Sequence, residues 1–117
     1  MPTVLIVDDH PSFRASARVL LEAEGFQVIG EAEDGASALE EVARLNPEIV
    51  LLDVQLPDTD GFHVAARLTA DGVAPAVILV SSRDGSDFGP LVARSGARGF
   101  VPKAELSGDR VQELLVV

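Results

Sequence analysis

Asp8 and Asp9 follow the run Val4-Leu5-Ile6-Val7, and Asp53 follows Ile49-Val50-Leu51-Leu52. Apolar runs of this kind read as strands buried on both faces of a parallel sheet, which sets all three acids at its carboxyl edge. Carboxylates crowded together repel one another and raise each other's pKa unless a cation shares the site. The pattern asks for a metal. Oxygen donors of this type suit Mg²⁺, with Mn²⁺ tolerated. In this reading Asp9 and Asp53 bind the ion directly, and Asp8 does so directly or through water. The Asp53 oxygen that remains is a candidate nucleophile toward phosphorus, giving an aspartyl phosphate. Lys103 ends a further run and is the sole lysine beside eight arginines, so it offers a compact positive charge for an arriving phosphoryl group. Ser81 ends the run Val77-Ile78-Leu79-Val80 and adds a hydroxyl donor. One Asp or Ser after a strand is ordinarily a turn or cap residue. Acids, a hydroxyl and the lone lysine at the ends of four strands make a functional site the better reading.

Those strand ends need a frame. Strands are expected at residues 3–8, 26–32, 48–53, 75–81 and 98–102. Helices are expected at about 10–24, from Asp34-Gly35 to Asn46-Pro47, at about 61–70, at about 86–95 and from Ser107 onward. Gly25 is placed as the stop of the first helix and Ser107 as the N-cap of the last. Gly89-Pro90 falls inside the fourth helix, and proline is accepted only in a first turn, so that helix should be short and begin near Pro90. Five β/α units with right-handed crossovers predict an α/β fold, a parallel sheet wrapped by helices on both faces. Strand two is the most polar on one face and suits an edge. The order 2-1-3-4-5 follows, with its switch point between the strands that end in Asp8 and Asp53.

At 117 residues the chain is expected to be one domain spanning 1–117. A net charge of −10 opposes direct binding to nucleic acid or anionic membranes. No apolar stretch approaches the roughly 20 residues that span a bilayer. The absence of cysteine excludes thiolate metal sites, and together with an N-terminus lacking export signals it points to the cytoplasm.

The segments Val7-Asp8-Asp9-His10, Leu52-Asp53 with Pro57 and Gly61 at fixed distances, Ser81 after its apolar run, and Gly99-Phe100-Val101-Pro102-Lys103 resemble the receiver domain of two-component response regulators. The likeness covers essentially the whole chain. The flavodoxin-like strand order is also that of a chemotaxis member of that family. Asp8-Asp9-His10-Pro11-Ser12-Phe13-Arg14 and Gly30-Glu31-Ala32-Glu33-Asp34-Gly35 are most similar to receivers of the LuxR and NarL type.

The resemblance implies Asp53 as phosphoacceptor, and Asp8, Asp9 and the Gln55 backbone carbonyl as further Mg²⁺ ligands. Ser81 and Lys103 would contact the phosphoryl group, and Phe100 would be the aromatic that turns inward with Ser81 on switching. Gln55 and Arg83 would tune dephosphorylation. The implied partners are a histidine kinase and an output, either a separate protein or a DNA-binding domain absent from this chain. A homodimer is also open. Ala104 after Lys103 replaces the proline that many receivers join through a cis bond, and Phe100 replaces a frequent tyrosine. His10 is expected to flank the first helix rather than to join the acids.

The competing reading is a Mg²⁺-dependent phosphatase or phosphotransferase that also forms an aspartyl phosphate. Enzymes similar to the haloacid dehalogenases carry a second Asp two residues beyond the nucleophile, and Gln55 stands there. A flavin phosphate would meet the acidic loop Asp8-Asp9-His10-Pro11 and be repelled. A receiver signalling without phosphate would not need the intact acids, Ser81 and Lys103.

Overall fold

The computed structural model describes residues 1–70, 75–82 and 88–115. Five parallel strands, β1 (Thr3–Val7), β2 (Gln27–Ala32), β3 (Ile49–Asp53), β4 (Ala76–Ser81) and β5 (Gly99–Pro102), form one sheet in the order β2-β1-β3-β4-β5. The helices are α1 (Pro11–Ala23), α2 (Gly35–Leu45), α3 (Gly61–Leu68), α4 (Gly89–Arg94) and α5 (Gly108–Leu115), with a 3-10 turn at Lys103–Glu105. The expected topology is therefore the observed one.

Alternation along the strands divides the core into two layers. Val4 and Ile6 of β1, Leu51 of β3, Ile78 and Val80 of β4 face Ala17, Leu21 and Val111 of α1 and α5. Leu5, Val7, Val50, Leu52 and Leu79 face the other way, against Ala38 of α2 and Val64 and Ala65 of α3. Both faces of β3 are buried, as a continuous apolar run requires.

The ends of the elements have local causes. Gly25, at φ +94°, stops α1: Phe26 N–H donates to Leu21 O at 3.0 Å and Gly25 N–H to Glu22 O at 3.3 Å, the paired bonds of a Schellman motif. At α2, Asp34 accepts from Ser37 N–H at 2.8 Å while the Ser37 hydroxyl faces back to the Asp34 amide at 3.3 Å. Asn46 closes that helix at φ 50°. Ser107 caps α5 as expected, accepting from Arg110 N–H at 3.1 Å. The third helix is shorter than its pattern predicts: it ends at Leu68, where the hydroxyl of the cap residue Thr69 lies 2.8 Å from Ala65 O and 3.0 Å from Ser95 O and offers its one proton to that pair of carbonyls. The fourth has six residues, with Pro90 in its first turn. The first strand stops at Val7, one residue earlier than expected. Asp8 N–H nevertheless donates to Ala32 O at 3.0 Å and keeps the acid in line with the sheet.

Candidate functional site

The carboxyl ends of β1, β3, β4 and β5 open into one cleft of about 280 Å³, lined by Asp9, His10, Asp53, Gln55, Leu56, Pro57, Ser81, Ser82 and Lys103. The geometry starts from register. Val7 pairs with Leu52, so Asp8 and Asp53 leave adjacent strands side by side; Asp53 pairs with Val80, and Ser81 with Pro102. Ser81 and Lys103 follow directly from that pairing.

Asp8 is fully buried and Asp53 nearly so, at 0 % and 4 % exposure, whereas Asp9 faces solvent. The Lys103 ammonium lies 2.6 Å from Asp8 Oδ2 and 3.5 Å from Asp53 Oδ2. At 3.5 Å the second contact is long for a hydrogen bond, and the lysine leans on the more deeply buried carboxylate. Although Asp8 Oδ2 has this charge beside it, the alignment provides no hydrogen bond, and the oxygen has no such partner. Burial, and then the charge of Asp8, push the Asp53 carboxyl up to about 6, against the opposing pull of Lys103 and of the Gln55 amide. Gln55 N–H donates to Asp53 Oδ1 at 3.3 Å.

A fully buried carboxylate oxygen without a hydrogen bond, beside a second carboxylate whose charged form is disfavoured, is a donor set short of positive charge. One ligand atom each from Asp8, Asp9, His10 and Asp53 lies within 4.8 Å of the others. The residues fit a divalent cation.

Three supports had no signal in spacing. The Phe13 ring lies under Lys103, with the ammonium 4.5 Å from its centroid. Arg14 donates to the Asp8 carbonyl at 2.6 Å and to Glu31 at 2.9 Å, bracing the acid from outside the cleft. Asp58 accepts from Gly35 N–H at 2.8 Å and Ala36 N–H at 3.0 Å, which ties the loop after Asp53 to the start of α2 and holds its own carboxyl below the usual range.

His10 is the N-cap of α1, as expected, but its ring makes no capping bond and turns to the acids instead. Phe100 lies half-buried on β5, its ring 5.7 Å from Phe88, which in turn lies 5.5 Å from Phe62. Arg83 lies outside the described residues.

A doubly wound sheet with acids and a lysine at its switch point defines a class, and the comparisons with known proteins specify it. The family described as response regulator receiver domain matches residues 4–115, and the chain belongs to that family. The DNA-binding transcriptional activator EvgA of Escherichia coli K12 is 36% identical over 101 residues, covering 86% of this chain and 50% of its own length. BvgA of Bordetella pertussis, a positive transcription regulator of virulence factors, is 43% identical over 102 residues, covering 87% of this chain and 49% of its own. The chain thus spans about half the length of these relatives. Among solved structures, the signal receiver domain of the response regulator NarL from Mycobacterium tuberculosis superposes with a TM-score of 0.87 at 32% identity, covering 99% of this chain and 98% of that one. The likeness to LuxR- and NarL-type receivers stands, and the phosphatase alternative is not favoured.

Proposed function

We propose that this receiver takes a phosphoryl group from the phosphohistidine of a histidine kinase onto Asp53 and promotes that transfer itself. The observation that carries the reading is the placement of Asp53 in an open cleft, beside the Asp8 carboxylate and with the Lys103 ammonium, paired to Asp8, 3.5 Å from its Oδ2. An Asp53 oxygen attacks phosphorus, the bond from phosphorus to the donor imidazole breaks, and the imidazole leaves with its electron pair and takes up a proton. Lys103 moves from Asp8 toward the incoming oxygens, and Ser81 donates its hydroxyl to one of them. Asp8, Asp9, Asp53 and the Gln55 carbonyl would hold Mg²⁺, or Mn²⁺, which supplies charge neutralisation as the phosphoryl group arrives.

The conformational response then runs through Ser81 and Phe100 toward α4, β5 and α5. The output is a partner protein or a DNA-binding domain in a longer regulator, in keeping with the length of the relatives. The chain itself, at −10, does not bind nucleic acid, and a homodimer is one form the switched state can take. The described residues contain no helix long and apolar enough to cross a membrane, and a cytoplasmic location fits both kinase and output.

Incubation with a small phosphodonor and Mg²⁺, read by intact mass, tests this. One phosphoryl adduct is expected, and it should vanish in Asp53→Asn. An adduct that persists in that variant sinks the assignment.

A further inference from the structure

His10 holds a place that the phosphoryl chemistry above does not use. It is the cap residue of α1 and precedes Pro11, so its backbone is confined to the extended region, at φ −99° and ψ 109°. Its amide donates to Asp8 Oδ1 at 2.8 Å. Those two constraints aim the side chain at the cleft. Ring Nδ1 lies 2.9 Å from Asp8 Oδ1 and 3.1 Å from Asp9 Oδ1, and the ring forms no capping bond to α1. A shorter Asp, Asn or Ser would cap the helix better. An imidazole here does nothing for the helix and brings a nitrogen donor to the oxygen cluster. Asp8 Oδ2 is fully buried and without a hydrogen bond, and among the described residues that line the cleft the Lys103 ammonium, 2.6 Å from it, is the positive charge set against three carboxylates.

The donor chemistry then separates metals. Mg²⁺ prefers an all-oxygen octahedron and keeps several waters. Zn²⁺ takes four ligands and accepts imidazole and carboxylate together. Asp8, Asp9, His10 and Asp53 offer one such atom each, all within 4.8 Å of one another.

We propose that His10 is a metal donor, so that the acid pocket takes a zinc-class divalent ion through His10 Nδ1 and the three carboxylates. In that state the proton of the neutral ring resides on Nε2. The proposal rests on the pocket being the receiver's metal site and extends it from hard ions to borderline ones.

The test is a calorimetric titration of the chain at fixed pH, without phosphodonor, using Zn²⁺ and Mg²⁺ separately. The variants are His10→Gln and His63→Gln, the latter replacing the other of the chain's two histidines. His10→Gln should lower the ratio of Zn²⁺ to Mg²⁺ affinity by about tenfold or more, since even outer partners of a metal ligand are worth about 10- to 100-fold. His63→Gln should leave the ratio alone. With Co²⁺ as a visible probe, His10→Gln should also change the absorption bands of the bound ion. General damage to the pocket would weaken both ions together and leave the ratio fixed. A ratio unchanged in His10→Gln, or changed equally by His63→Gln, overturns the proposal. Asp9→Ala separates the two levels: Mg²⁺ affinity unaffected there removes the metal site itself, whereas Mg²⁺ lost there with a ratio insensitive to His10 removes only this inference.

Discussion

α2 and α4 pack in the same layer of the core, on one face of the sheet, and are built to different standards. α2 has eleven residues, a reciprocal Asp34–Ser37 cap, two further amides bound by Asp58, and a left-handed Asn46 at its end. α4 has six residues, no side-chain cap and no buried residue; the Phe88 ring at its start packs against Phe62 and Phe100, and its C-terminal end is tied through Thr69 to the Ser95 carbonyl. Short uncapped helices cost little to shift, and long capped ones resist. The loop beyond Asp53 is thus tied firmly to α2, whereas α4 is lightly held.

The same substitution on the two sides breaks or sharpens that contrast. A Cβ at Gly61, the first residue of α3 and packed on the Asp53 backbone, would overlap the Asp53 carbonyl oxygen and lie 2.9 Å from Val54 Cα. Backbone cannot give way as a side-chain tip can, so Gly61→Ala should cost about 3 kcal/mol in chemical denaturation and slow phosphorylation with it.

The next effect lies at the seam between the two sides. Asp53 has its pKa raised to about 6 from 3.8, so between those values the folded protein binds more protons than the unfolded chain, and stability falls as pH rises through that window. The full shift is worth ~3 kcal/mol, which solvent screening in the open cleft reduces to ~1–2 kcal/mol. Metal-free Asp53→Asn should therefore be more stable than the parent at pH 8 by about that amount and equal to it near pH 3.5. Parallel stability curves across the range would show that Asp53 carries no such burden.

The smallest effect has the opposite sign from the first. Gly89 opens α4 without a positive φ, and a Cβ added there would meet nothing within 4 Å. Gly89→Ala should raise stability by about 0.5 kcal/mol through the unfolded chain and favour the helix as it stands, read as a slightly higher melting temperature. Equal losses from both glycines would erase the distinction between the two sides.

Much of this site was legible because β-strands turn position into proximity. Apolar runs fix which strands are central, strand order fixes which ends adjoin, and the residue after each run falls at the shared edge. Asp8, Asp53, Ser81 and Lys103 were reachable that way. Phe13 under the ammonium, Arg14 on the Asp8 carbonyl and Asp58 on α2 were not. Each joins elements that no periodicity relates, and each depends on the crossing of a helix or the path of a loop. His10 was half legible: its place before Pro11 marked a helix start, but the direction of its ring depends on where Asp8 Oδ1 lies in three dimensions.

The Asp58 bridge gives the molecule a reporter of its own. The Gly35 and Ala36 amides are held by a side chain 23 and 22 residues downstream rather than by their own helix, so hydrogen–deuterium exchange at those two positions follows the opening of the loop beyond Asp53. Breathing of the loop that follows Asp53 can thus be timed from α2, without a label in the cleft.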